Sequence, residues 1–191
     1  MNSAPTLRTA AVALVVGAAL GVAGTFTPSV TLRGLAWGVD GTALVLASAV
    51  LCVHHLRRGH DAVAAGFLVF AVGQGLILSV PAAESAASVP TFAAGTALWA
   101  AGLALLSAPS VFPAPVRALG ALGALLMAAV AVRIFAGTPL TPLASPLPFL
   151  AYPPFAAALV GLAVVHWREA GVGEHASRGA AEPTRGRSAG G

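Results

Sequence analysis

Three polar residues, Asp40, Gln74 and Arg133, lie within segments made almost entirely of apolar and small residues. Such residues are costly at membrane depth and often mark ion pairs, ligand sites or proton sites. Counted along a helix, Asp40 lies about 25 Å from Arg57, and Arg133 lies about 24 Å from Arg117. Gln74 lies about one turn lower, roughly 5 Å. The shared depth predicts a charge-assisted pair between Asp40 and Arg133, with Gln74 in the same polar layer.

Two other interpretations of these residues stay open. In the first, Asp40 caps the start of the second apolar segment, where a carboxylate meets unpaired amides and the positive end of the helix dipole. Arg133 then extends to the outer headgroups, and Gln74 only bonds a neighbouring helix. In the second, the three residues bind a ligand or a proton. A cap at Asp40 leaves about 24 Å of helix up to Leu56, which is short for a hydrocarbon layer of about 30 Å.

A second polar group consists of His54, His55 and His166, at the ends of two apolar segments. Two histidines on different helices at one level are the minimum for a bis-histidine haem or a metal ion. These histidines lie beside arginines, however, with few carboxylates and no aromatic cluster near them in the sequence. We therefore expect them to anchor the membrane interface, without a metal or other cofactor. A metal site at the three histidines stays the alternative.

The elements that position both groups are helices. Of the 191 residues, 58% are hydrophobic and 8% are charged, whereas soluble domains carry roughly 25% charged residues. The apolar runs do not alternate, so they predict membrane-spanning helices and not β-barrel strands. The predicted fold is an all-α polytopic integral membrane protein, a six-transmembrane-helix bundle in residues 1–167. Its spans cover about residues 8–25, 35–56, 62–80, 91–108, 115–135 and 149–167, and a disordered cytoplasmic tail occupies residues 168–191.

The arginines predict the orientation of the bundle. Those on one side of a six-span arrangement are Arg8, Arg57, Arg58, Arg117, Arg168, Arg178, Arg185 and Arg187. By the positive-inside rule, both termini are then cytoplasmic. The absence of lysine and the abundance of Ala, Gly, Pro and Arg indicate a GC-rich bacterial genome, so we expect a multi-pass protein of the inner membrane. Alternatively, the first span is a cleaved signal peptide, and five spans remain.

The motifs of soluble enzymes are absent, since the sequence has no Gly-rich phosphate loop, no HExxH and no GxSxG with triad partners. The pI of about 11.1 reflects arginines on loops and does not indicate nucleic-acid binding. The single Cys52 excludes an intramolecular disulfide. These features favour a non-enzymatic small membrane subunit or scaffold, whose partners are the lipid bilayer, other membrane subunits or a second copy. The alternatives are a small transporter or channel with a polar layer in the outer half, and a haem-binding membrane redox protein.

Overall fold

The fold consists of six α-helices joined by short connections. A computed structural model describes residues 4–80 and 86–180, and the side chains of residues 4–80 and 87–172. The helices are α1 (Ala4–Phe26), α2 (Val30–Leu56), α3 (Asp61–Leu78), α4 (Val89–Ser107), α5 (Ala114–Phe135) and α6 (Tyr152–Ala180). By length and composition, six helices are long and apolar enough to cross a membrane. No strand occurs in the described ranges, and the predicted all-α, six-helix fold is confirmed.

The helices differ from the predicted spans mainly at two places. The helix α2 begins at Val30 instead of residue 35, because the Ser29 side chain accepts a hydrogen bond from the Leu32 amide at 3.4 Å and caps the helix. The helix α6 continues to Ala180, so residues 168–180 are helical where a disordered tail is expected. The rest of that expected tail, residues 181–191, lies outside the described residues.

The helices form a closed ring in chain order. Each helix packs against the helices before and after it, and α6 completes the ring by packing against α1. Short connections make consecutive helices antiparallel. The end of the bundle at which α1, α3 and α5 start, and at which α2, α4 and α6 finish, is called the terminal end. The opposite end is the distal end.

The outer surface of the ring is apolar. Large apolar side chains are exposed on five helices, for example Val15 on α1, Leu35 on α2, Leu68 on α3, Leu125 on α5 and Val160 on α6. Lipid chains accept such faces, while the helices satisfy their own backbone polar groups. The interior is filled by buried aromatic and branched side chains, including Phe67 and Phe70. The fully buried polar side chains inside the ring, such as Gln74 and His166, are therefore shielded from both lipid and bulk water.

Candidate functional site

Asp40 lies well inside α2, about 15 Å along the axis from Val30. Because Ser29 is the cap of this helix, the capping interpretation of Asp40 is wrong. The carboxylate lies against α1, where a methyl group added at Gly21 would approach Oδ2 to 3.0 Å. Asp40 forms no hydrogen bond or ion pair that the described residues account for, and its Oδ1 is buried.

Arg133 does not reach Asp40. It is exposed in the last turn of α5, where a cation faces the negative end of the helix dipole. Among the described elements, α5 contacts α4 and α6 but not α2. The predicted pair is therefore not formed in the structure. The sequence gives the depth of a residue along its helix, but not the direction in which its side chain points around the ring.

Glycines on α1 allow α2 to approach closely enough to hold Asp40 there. A methyl group added at Gly17 would lie 2.5 Å from Cδ2 of Leu44 and 3.2 Å from Oδ1 of Asp40. One added at Gly24 would lie 2.6 Å from the ring of Trp37. Small residues at helical spacing permit this kind of contact between membrane helices. The glycine face of α1 therefore fixes the position of one face of α2.

A cavity of about 290 Å³ occupies the distal half of the ring. It extends from Pro142, in the connection before α6, to Leu44 and Leu159 near the middle of the bundle. Asp40 and Gln74 both line it, so the structure brings these two predicted residues together. Its aromatic lining consists of Trp37, Phe92, Trp99, Tyr152 and Phe155. Small-molecule pockets have volumes of about 300–1,000 Å³, so this cavity suits a small ligand.

Three residues of the cavity lining have a buried polar atom without a hydrogen-bond partner among the described residues. These atoms are Oδ1 of Asp40, Oε1 of Gln74 and Nε1 of Trp99. Gln74 and Trp99 are only 1% and 6% exposed, so bulk water does not reach most of either side chain. An unsatisfied buried polar atom costs about 1–3 kcal/mol. Three such atoms around one cavity leave hydrogen-bonding capacity that a water molecule or a ligand in the cavity can satisfy.

Two tryptophans contribute to this cavity, and the sequence analysis did not select either. Trp37 donates its indole N–H to the Gly21 carbonyl at 3.3 Å, which fixes the ring at the cavity wall. The Trp99 ring lies 4.9 Å from that of Phe155 and 6.3 Å from that of Phe70, so a stack crosses the ring from α3 through α4 to α6. Trp37 precedes Asp40 by three residues, and this spacing predicts that the two side chains lie on the same face of a helix. Trp99 has no comparable signal in the sequence.

The predicted histidines meet inside the terminal end of the bundle. Nε2 of His55 lies 3.1 Å from Nε2 of His166, and both side chains are buried. The expected anchoring at the interface is therefore wrong for these two, because α2 and α6 turn them into the ring. His54 instead lies 3.2 Å from Oε1 of Glu169, which also pairs with Arg58. Within the described residues, no group of three or more His, Cys, Asp or Glu side chains is arranged to hold a metal ion.

The fold and this interior define a class, a six-helix protein of membrane-spanning composition with an aromatic cavity and a buried histidine group. Comparison with known protein families, characterised proteins and solved structures gives no match for the chain.

Proposed function

We propose that the chain is a small membrane transporter whose distal cavity binds an organic cation. The observation that carries this proposal is the unpaired carboxylate oxygen of Asp40 inside an otherwise apolar cavity. Charged side chains inside membrane proteins face cavities, pair with one another, or mark the path of a substrate or ion. Asp40 faces the cavity and lacks an internal cation, so the proposal assigns the cation to the ligand.

The surroundings of Asp40 support a positively charged ligand. Trp37 and Trp99 both line the same cavity, and aromatic rings attract cations within about 6 Å of the ring centroid. The nearest arginine on this helix is Arg33, about 10 Å away along the axis. Its Nη2 donates to the Thr27 carbonyl at 2.9 Å, and its guanidinium lies over the Trp37 ring at 5.8 Å. The guanidinium is therefore held at the distal rim and does not neutralise Asp40.

The other two unpaired polar atoms restrict the chemistry of the ligand further. Oε1 of Gln74 is a hydrogen-bond acceptor, which suits an N–H donor such as a protonated amine. Nε1 of Trp99 is a donor, which suits an acceptor elsewhere on the ligand. The aromatic walls suit an apolar body. A protonated primary amine with an aromatic or branched apolar body, and with an acceptor group such as a hydroxyl, meets these conditions within about 290 Å³.

The arginines indicate which side of the membrane the cavity faces in this proposal. Those at or near the terminal end are Arg8, Arg57, Arg58, Arg117 and Arg168. By the positive-inside rule this end is cytoplasmic, in the inner membrane of a bacterium. The cavity then faces the outside, and the packed terminal half of the ring separates it from the cytoplasm. Transport requires a second state in which that half opens.

A binding experiment on the purified protein tests the proposal. Phenethylammonium and its uncharged analogue 2-phenylethanol differ in charge but little in shape, and tryptophan fluorescence reports their binding beside Trp37 and Trp99. We expect phenethylammonium to bind more tightly, and Asp40→Asn to weaken its binding by about tenfold or more, the equivalent of about 1.4 kcal/mol. Asp61→Asn is the matched control, since Asp61 is an exposed carboxylate at the start of α3.

Equal affinity for the two compounds, or an Asp40→Asn variant that binds as tightly as the parent, would contradict the proposal. No binding of either compound would also count against it. In that case the non-enzymatic subunit or scaffold would be favoured, since its helix faces serve packing alone. The proposal predicts in addition that Gln74→Leu weakens phenethylammonium binding without changing that of 2-phenylethanol to the same extent.

A further inference from the structure

Three histidines at the terminal end form one continuous hydrogen-bonded chain. Nδ1 of His60 lies 3.3 Å from Nδ1 of His55, and Nε2 of His55 lies 3.1 Å from Nε2 of His166. Nδ1 of His166 lies 2.7 Å from the carbonyl oxygen of Leu162. The chain begins at His60, which is half-buried at the surface, and ends at His166, which is fully buried.

The carbonyl at the buried end fixes the proton position in every ring. A carbonyl oxygen only accepts, so Nδ1 of His166 carries a proton, and Nε2 of the neutral ring is then an acceptor. His55 must donate to it from Nε2, which leaves Nδ1 of His55 as an acceptor. His60 therefore donates from Nδ1, and its Nε2 is free of a proton. Each neutral ring has one allowed tautomer.

We propose that this chain is a proton relay that loads His166 from the terminal end. A proton from an acid in the aqueous phase binds Nε2 of His60. The Nδ1 proton of His60 passes to Nδ1 of His55, and the Nε2 proton of His55 passes to Nε2 of His166. His60 and His55 end as neutral rings of the opposite tautomer, and His166 becomes an imidazolium. All three hydrogen bonds persist, with the donor and acceptor exchanged in the two between rings.

The fold positions the relay and excludes water from its inner part. Gly59 has a φ of +73°, which lets the chain reverse after α2, and the His60 amide bonds back to the His55 carbonyl at 3.0 Å. The Phe67 ring stacks on that of His55 at 5.6 Å, and the Phe112 ring is in a T-shaped arrangement with both His55 and His166. Among the ring nitrogens of the three histidines, Nε2 of His60 is the one to which the described residues give no hydrogen-bond partner, so the proton enters there.

The charged and titratable groups around the relay come from several helices. They are His54, Arg57 and Arg58 at the end of α2, Asp61 on α3, Arg117 on α5, Arg168 and Glu169 on α6, and Arg8 on α1. Glu169 lies next to His54 and Arg58. Arg117 is held by carbonyl oxygens at the end of α4, and Arg8 lies over the Trp167 ring. The Leu162 carbonyl that accepts from Nδ1 of His166, and the negative charge of Glu169 on the same helix, both favour a positive charge on this ring.

The relay does not connect directly to the distal cavity. His166 and the cavity residue Leu159 are about 10 Å apart along α6, and apolar side chains such as Leu162 and Ala163 fill this layer. In this state a proton is stored on His166 and returns the way it entered. The inference therefore stands independently of the proposed ligand in the cavity.

The tautomers are tested by NMR on the whole protein in lipid bilayers, with ¹⁵N-labelled histidine. We expect a proton on Nδ1 of His166, on Nε2 of His55 and on Nδ1 of His60 at a pH where all three rings are neutral. We also expect a through-bond coupling between Nε2 of His55 and Nε2 of His166. The opposite tautomer at any of the three rings would overturn the relay. This measurement needs no variant, so it does not depend on whether a variant folds.

The transfer is tested by the rate at which His166 exchanges between its neutral and protonated forms, measured by NMR relaxation near the midpoint of its titration. Replacing the entry ring in His60→Phe should slow this exchange by about 100-fold, the lower range of what a positioned proton donor contributes. His54→Phe is the matched control, because His54 lies at the same end but outside the chain, and it should leave the rate unchanged. An unchanged rate in His60→Phe, or a His166 that stays neutral until the protein unfolds, would overturn the relay.

Discussion

The distal cavity and the histidine chain differ in how their buried polar atoms are satisfied. Both use the same inward face of α2, which carries Asp40 toward the distal end and His55 at the terminal end, with Leu44 and Leu51 buried between them. In the cavity, polar atoms of three residues lack partners and line open space. In the chain, each ring nitrogen between His60 and Leu162 has a partner. The polar atoms of the histidine chain are satisfied within the protein, whereas the proposed function assigns the partners of the cavity atoms to a ligand.

Removing a ring from the histidine chain should have the largest effect on stability. His166→Leu removes two hydrogen bonds and leaves Nε2–H of His55 buried without an acceptor. Combining the unsatisfied donor with the two lost bonds, we expect the free energy of unfolding in detergent to fall by about 3 kcal/mol. Titration with a denaturing detergent, followed by circular dichroism, measures the change.

His54→Leu is the control for this prediction. The His54 side chain contacts Glu169 but lies outside the chain, and the pair is partly exposed. Its removal should lower stability by less than about 1 kcal/mol, as for other partly exposed ion pairs. Equal losses in the two variants would show that the chain does not stabilise the bundle, and the contrast between the two regions would disappear.

Replacing a glycine at the contact between α1 and α2 should have a second, smaller effect on stability, on the side of the bundle that holds the cavity. Gly17→Ala would place a methyl group 2.5 Å from side-chain atoms of Leu44, so either this side chain or α2 must shift, and we expect a loss of about 2 kcal/mol. Gly75→Ala is the matched control because nothing lies within 4 Å of the added methyl group. It should gain up to about 1 kcal/mol from helix propensity. Unfolding titrations of both variants measure this difference, and a stabilised Gly17→Ala would contradict the close packing.

The helices of this protein were predictable because apolar runs between arginines and prolines have the length of a membrane span. The start of α2 was not predicted correctly, since it depends on a single side-chain contact at Ser29. The depths of Asp40 and Gln74 were also predictable from the rise per residue, and both residues lie at the cavity. The number of residues between two positions thus predicts their separation along the helix axis well.

The direction of each side chain around its helix was not predictable, and the interior depends on it. Arg133 has the predicted position along α5 but is exposed, so it leaves Asp40 unpaired. His55 and His166 were expected at the interface but point into the ring. Most outward faces are as apolar as the inward ones, so hydrophobic periodicity does not reveal which face is buried. The order of helices in the ring supplies the missing information.

The smallest expected change in the free energy of unfolding is a gain, and it concerns Asp40 itself. A paired Asp40 would make any apolar replacement destabilising, whereas an unpaired one costs stability in the absence of ligand. We therefore expect Asp40→Leu to raise the free energy of unfolding by about 1 kcal/mol while phenethylammonium binding is lost. The same detergent titration measures the first change, and tryptophan fluorescence measures the second. A loss of stability would mean that Asp40 already has a partner within the protein, and the cavity would then be as complete as the histidine chain. A gain in stability together with lost binding would show that this carboxylate is kept for its ligand at the expense of the fold.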